Sequence, residues 1–155
     1  MHIECNLKNI ERKTKTMQFR GNYYFLSNMY DKGEPLNIVI DGVPHTFTCA
    51  EAAFQAHKCP ERADEFEHIS GFEAKKLGRR VPLRNDWESV KDDVMLKCLR
   101  EKFQNAYLQR KLVAVDEPIV EDNTWGDTYW GRCNGIGQNK LGRLLEQVKR
   151  EVSVF

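Results

Sequence analysis

No two of the five cysteines stand closer than ten residues, so Cys5, Cys49, Cys59, Cys98 and Cys133 form no CxxC pair. An odd, unpatterned set reads as free thiols in a reducing compartment, which points to the cytoplasm. The four histidines make no HExxH or comparable zinc signature, and no metal site is expected. GxGxxG, the Walker A sequence and the GxSxG hydrolase elbow are all absent, which removes the commonest nucleotide-cradle and serine-nucleophile signatures. No apolar run approaches the 18 or so residues of a membrane helix, and the polar stretch 1–16 has no signal-peptide core. Charge of one sign is lacking too. With 24 Lys and Arg against 23 Asp and Glu, the formal net charge is +1, too little for a generic nucleic-acid coat.

What is present suits one globular domain. The 155 residues are 41% hydrophobic, enough to exclude disorder. A chain of this length buries about two-thirds of its unfolded surface without disulfides. Residues 1–16 read as a polar extension, with room for a short strand around His2 to Leu7, and 17–155 as the domain. The aromatic stretch Met17 to Tyr30 reads as a strand leading into a loop at Ser27-Asn28. Two apolar runs, 37–41 and 43–48, flank Asp41-Gly42, a strong hairpin signal. Pro44 restricts its strand to an edge or a bulge.

Helical patterns follow: Ala50 to Lys58, capped by Thr48 or Cys49, then Ala63 to Ile69 and Phe72 to Leu77, the last stopped by Gly78. A long helix is expected from Asp86 to Gln104, opened by an Asn85–Glu88 capping box. Its apolar face is Trp87, Val90, Val94, Cys98 and Leu99. Leu108 to Val113 and Gly137 to Val152 complete the set. Residues 116–136 show no periodicity and hold three glycines, as a long functional loop does. A hairpin-based sheet followed by helices is an α+β fold.

Near-neutrality conceals two blocks. Lys75, Lys76, Arg79, Arg80 and Arg84 fall together without an acid, and Asp116, Glu117, Glu121, Asp122 and Asp127 without a base. They are either two solvated surfaces or an anion-binding cluster beside a carboxylate-bearing loop. Arg suits phosphate because its planar fork donates two hydrogen bonds at once.

Several segments, in one order, resemble the NADAR family. They are FRG at 19–21, YFLSN at 24–28 with Tyr30, AEAAFQAHK at 50–58, LGR at 77–79 with PLR at 82–84, NDWESVK at 85–91 with Met95, KF at 102–103, WGD at 125–127 and NKLG at 139–142. They span roughly residues 17–152. The resemblance implies that family's own α+β fold and hydrolysis of an N-glycosidic bond without metal or organic cofactor. It implies a site for a phosphorylated ribosyl substrate, either an early riboflavin-biosynthesis intermediate or ADP-ribose attached to a nucleobase, including a base in DNA. A non-catalytic ADP-ribose or NAD-binding module is a further alternative; it keeps the aromatic and Arg residues and does not need Glu51. No membrane partner is implied.

Matching positions carry the site over residue by residue. Glu51, Asp127 and Trp87 fall on catalytic positions. Ser27, Asn28, Trp125, Gly126 and Asn139 fall on substrate-binding ones; Arg20 and Arg79, inside matched motifs, join them as candidates for phosphate, Tyr24 as an aromatic face and Lys58 as the cation ending the Glu51 helix. Each also has a plain structural reading. Glu51 in a first turn suits the helix dipole, as Lys58 does at the other end. Asp127 suits a turn, Trp87 a core, Ser27 and Asn28 a turn cap, and Arg79 a solvated surface. The resemblance favours the functional side, and the cleavage it implies passes through an oxocarbenium-like ribose. One carboxylate then stabilises that charge or activates water, and a second acid protonates or orients the leaving base. Glu51 and Asp127 are that pair, in interchangeable roles. Many family members carry His after the glutamate; Ala52 stands here, and substrate choice is expected to differ with it.

Overall fold

The computed structural model describes residues 17–153; the expected extension and its short strand lie outside them. Strands β1 (Leu36–Ile40) and β2 (Val43–Phe47) form the antiparallel hairpin, in register from Leu36↔Phe47 to Ile40↔Val43. Asp41 and Gly42 both take positive φ, +48° and +79°, the type I′ geometry that matches strand twist. Leu36, Ile38 and Ile40 face the core while Asn37 and Val39 face out. The exposed backbone of β2 is partly satisfied by a side chain: Thr46 N–H donates to Glu67 Oε1 at 2.6 Å.

Helix α1 (Ala50–Ala56) is buried along its whole length. Four alanines in AEAAFQA let neighbours close in on all sides, so α1 packs against the hairpin, α2 (Gly71–Gly78) and α3 (Trp87–Lys102). Gly71 and Gly78 permit the α1–α2 approach. A Cβ at Gly78 would lie 2.0 Å from Gln55 Oε1, and one at Gly71 would lie 2.3 Å from the Met29 sulfur. Helix α4 (Ala106–Val113) packs on α5 (Lys140–Val152), which also packs on α3. Phe47, Phe66, Phe103, Leu99 and Leu145 are among the fully buried side chains of this core.

Several expectations need correction. The aromatic stretch after Met17 is not a strand; Gly21–Leu26 forms a 3-10 helix, starting at a positive-φ glycine. Residues 60–66 are likewise 3-10 rather than α-helical. No capping box opens α3: its N-cap is Asp86, whose carboxylate is taken by Arg84 at 2.6 and 3.0 Å. The capping box belongs to α2, where Ser70 and Glu73 exchange bonds. Helix α5 starts three residues later than Gly137, because Gly137 and Asn139 take positive φ of +147° and +51°. The loop of 116–136 contains two-residue strands β3 (Asp122–Asn123) and β4 (Arg132–Cys133), paired in parallel.

Candidate active site

One cavity of about 750 Å³ opens between α1, α3, the 3-10 turn at 21–26 and the loop carrying β3. That is within the range of small-molecule sites. Each wall brings a different chemistry.

Helix α1 supplies Glu51, only 8% exposed. Its backbone N–H donates to Asn28 O at 2.9 Å and its Oε1 accepts from Gln55 Nε2 at 2.8 Å. Burial pushes the Glu51 carboxyl above the usual carboxylate range and Asp127 adds to this; Gln55, Lys75 and Lys58 pull it back. Just beyond the end of α1, Lys58 lines the cavity with its ammonium 5.7 Å from the Trp87 ring centre. Burial lowers its pKa while Glu51 opposes that shift.

The aromatic side of the cavity is built on α3. Trp87, buried, packs against Phe54 at 5.1 Å between centroids, and Phe54 packs edge-on to Trp130 at 5.5 Å. The core and binding readings of Trp87 are therefore compatible: the ring belongs to the core and also lines the cavity. Lys91 lies on the same helix, 4.0 Å from the Tyr129 ring centre.

The acidic loop supplies Glu121, Asp122, Trp125 and Asp127 to the lining. Asp127 Oδ1 accepts from the backbone N–H of Tyr129 and Trp130, both at 3.0 Å. Its own backbone is clasped by Asn123, which accepts from Asp127 N–H at 3.1 Å and donates to Asp127 O at 2.8 Å. Trp125 is 60% exposed. Phe72, from the first turn of α2, is 68% exposed and also lines the cavity.

The turn at 21–28 closes the site with Arg20, Tyr24, Ser27 and Asn28. Asn28 is buried, its Nδ2 donates to the Met95 sulfur at 3.4 Å, and its Oδ1 has no partner among the described residues. Behind this turn the buried Lys102 donates to Ser27 O at 2.8 Å.

Nine of the twelve site residues read from the sequence thus meet at one cavity. Three do not line it. Arg79 is the exposed C-cap of α2, one turn beyond Lys75, which does line it. Gly126 is an exposed turn glycine at φ +82°. Asn139 is buried away from the cavity; its side chain accepts from Glu121 N–H and donates to Ile119 O, both at 3.0 Å. The cations beside Glu51 are therefore Lys58 and Lys75, rather than the arginines of the basic block. Glu121 and Lys75 were visible in the sequence only as members of charge blocks; no spacing singles out a residue whose importance comes from burial.

No helix among the described residues is long and apolar enough to cross a membrane. No group of three or more His, Cys, Asp or Glu among them could hold a metal ion. Cys49, Cys59, Cys98 and Cys133 are free thiols.

Several known proteins are similar to this chain in sequence and fold. The chain is 37% identical over 145 residues to the N-glycosidase YbiA of Shigella flexneri, covering 86% of this chain and 88% of that protein. The corresponding Escherichia coli protein is 36% identical over the same coverage. A riboflavin biosynthesis protein of Vibrio vulnificus is 31% identical over 138 residues, 84% of this chain and 36% of its own longer sequence. The NMR structure of E. coli YbiA superposes with a TM-score of 0.72 at 34% identity, over 92% of this chain and 90% of the other. The NADAR domain model matches residues 15–153. With that match, the ordered motifs and the shared fold, this chain belongs to the NADAR domain family.

Proposed function

We infer that this chain is an N-glycosidase, a hydrolase that breaks the bond between ribose C1′ and a base or amine in a phosphorylated riboflavin-biosynthesis intermediate. The observation that carries the reading is Glu51: a carboxyl group buried on a cavity wall, beside two lysines and the carboxylate of Asp127. Burying a carboxyl is costly, and this one caps no helix end and closes no ion pair within 4.0 Å among the described residues. The likeness to proteins named N-glycosidase YbiA, over 88% of their length, supports the same reaction.

The reacting ribose develops positive charge at C1′ as the C–N bond lengthens. Glu51 is suited to stabilise that charge and to take a proton from the attacking water. Asp127, fixed by two backbone N–H groups, is the second carboxylate. Trp87 and Trp125 offer flat faces to the base. Arg20, Lys58 and Lys75 offer positive charge to a phosphate, and the unpartnered Asn28 Oδ1 offers an acceptor to a ribose hydroxyl. The reaction needs no cofactor. The free thiols suit the cytoplasm.

A second reading, hydrolysis of ADP-ribose from a nucleobase, free or in DNA, draws on the exposed rings of Phe72 and Trp125 along the cavity. They leave a stacking surface for a further ring. A base-release assay comparing a phosphorylated riboflavin intermediate with ADP-ribosylated DNA separates the two substrates. Glu51→Gln tests the chemistry: turnover falls by about 10²–10⁴ while binding of a product analogue persists. Near-native turnover in that variant would remove Glu51 from the mechanism, and binding without base release by the native protein would leave a ligand-binding module.

A further inference from the structure

A third acid faces the same cavity. Glu121 lies just before β3, and its backbone is pinned from two sides: its N–H donates to Asn139 Oδ1 at 3.0 Å and its carbonyl accepts from Arg132 N–H at 2.8 Å. The side chain is seated over Gly131, where a Cβ would lie 2.4 Å from Glu121 Oε2 and 2.3 Å from Glu121 O. Only a residue without a side chain leaves room for this carboxyl. Oε2 is closed off from solvent and has no hydrogen-bond partner among the described residues.

Glu51 and Glu121 differ in what surrounds them. Glu51 accepts a hydrogen bond from Gln55, and both Lys58 and Lys75 favour its ionised form. Around Glu121 the charged groups are Asp127 and Asp122 on its own loop, Glu51 on α1 and Lys75 on α2; three of these four favour its neutral form. Burial acts in the same direction, and together they push the Glu121 carboxyl up to about 7. Burial raises the Glu51 carboxyl as well; what separates the two is geometry, since Glu51 Oε1 accepts from Gln55 as a carboxylate does, whereas the unpartnered Glu121 Oε2 is free to carry the proton of the neutral form.

We propose that Glu121 is the proton donor to the departing base, which leaves Glu51 to serve the water and the cation at C1′. The proposal rests on the N-glycosidase reading. In the first step the C1′–N bond breaks, its electron pair leaves with nitrogen, and nitrogen takes the carboxylic proton of Glu121. A water oxygen then bonds to C1′ and its proton passes to the Glu51 carboxylate. Glu121 recovers a proton from solvent, Glu51 releases one, and the net change is addition of water across the C–N bond. Amines and pyrimidines are poor leaving groups as anions, so protonation is where an acid contributes most, about 10²–10⁴ in rate.

The test is Glu121→Gln, with activity measured from pH 5 to 9 on two N-ribosides whose leaving groups differ in basicity. The variant is expected to lose about 10²–10⁴ in kcat on the poorer leaving group, with KM nearly unchanged, and to lose far less on the better one. In the native enzyme, kcat on the poorer leaving group falls as pH rises through about 7, and this limb is absent from the variant. Native kcat with the basic limb intact in Glu121→Gln overturns the proposal; so does an equal loss on both substrates. Should the variant not fold, the native enzyme still decides, because a basic limb of equal strength for both leaving groups is incompatible with Glu121 as donor. If Glu51→Gln is inactive and Glu121→Gln is not, the proton-donor role alone fails; if the native protein cleaves no N-riboside, the underlying reading fails.

Discussion

Gln55 holds Glu51 by one end of its amide only: Nε2 donates to Glu51 Oε1 at 2.8 Å, while Gln55 Oε1 is buried against Gly78 without a partner among the described residues. The two residues are four apart on α1, so a helical turn brings them together. The bond supports the ionised form of a carboxyl that burial drives towards neutrality. Gln55 therefore positions and tunes Glu51.

Replacing Gln55 by Met keeps much of its bulk and removes the donor. A hydrogen bond to a charged group contributes about 1.5–3 kcal/mol, which corresponds to roughly 1–2 pH units. Losing a bond that favours the ionised form raises the Glu51 pKa further. The acidic limb of kcat/KM is expected to move to higher pH by about that amount. An acidic limb that stays where it is in the native enzyme would show that the bond does not tune the working group.

Trp125 is mostly exposed, so truncating it removes a binding surface and little of the core. Trp125→Ala is expected to leave the melting temperature nearly unchanged. If the ring stacks on the substrate, the loss is about 1–3 kcal/mol, read as a KM increase of roughly 5- to 150-fold. Unchanged KM would assign the ring to no part of the ground-state complex.

Lys102 is fully enclosed, donating to Ser27 O with the Tyr30 and Phe103 ring centres 5.4 and 5.3 Å from its ammonium. Burial pushes its pKa from 10.5 down to about 7. Between those values the unfolded chain holds a proton that the folded chain does not, so this group makes stability rise as pH increases from about 7 to 10.5. Lys102→Met is expected to flatten that rise by a few kcal/mol at most and to raise KM by loosening Ser27. Denaturant titrations of both proteins from pH 7 to 10 check it; parallel slopes would contradict it.

The hairpin and the amphipathic helices were legible because their signals are local. Asp41-Gly42 sets a turn from its own dihedral preferences, and Leu141, Leu145 and Val148 mark a buried face by spacing alone. The Asn85–Glu88 pattern misled because Arg84 competes for Asp86 and fixes the helix start differently. Motifs located most of the cavity wall, since Glu51, Trp87 and Asp127 stand in recognisable strings. Glu121 stands in the sequence only as one acid of a block, because its character comes from Gly131, Asn139 and Asp127, at distances in sequence that no pattern spans. Asn139 was the converse, a motif residue whose work is done behind the site.

That work has a dynamic side. Asn139, left-handed at the entrance to α5, clips Ile119 and Glu121 to the C-terminal helix. The strap bearing Glu121 thus cannot swing outward without fraying the helix beneath it. Its amides should exchange with solvent in concert with the first turn of α5, as one cooperative unit. The acidic wall of the cavity then has the lifetime of a helix, and damage to α5 far from the substrate would reach the chemistry before it unfolded the hairpin or α1.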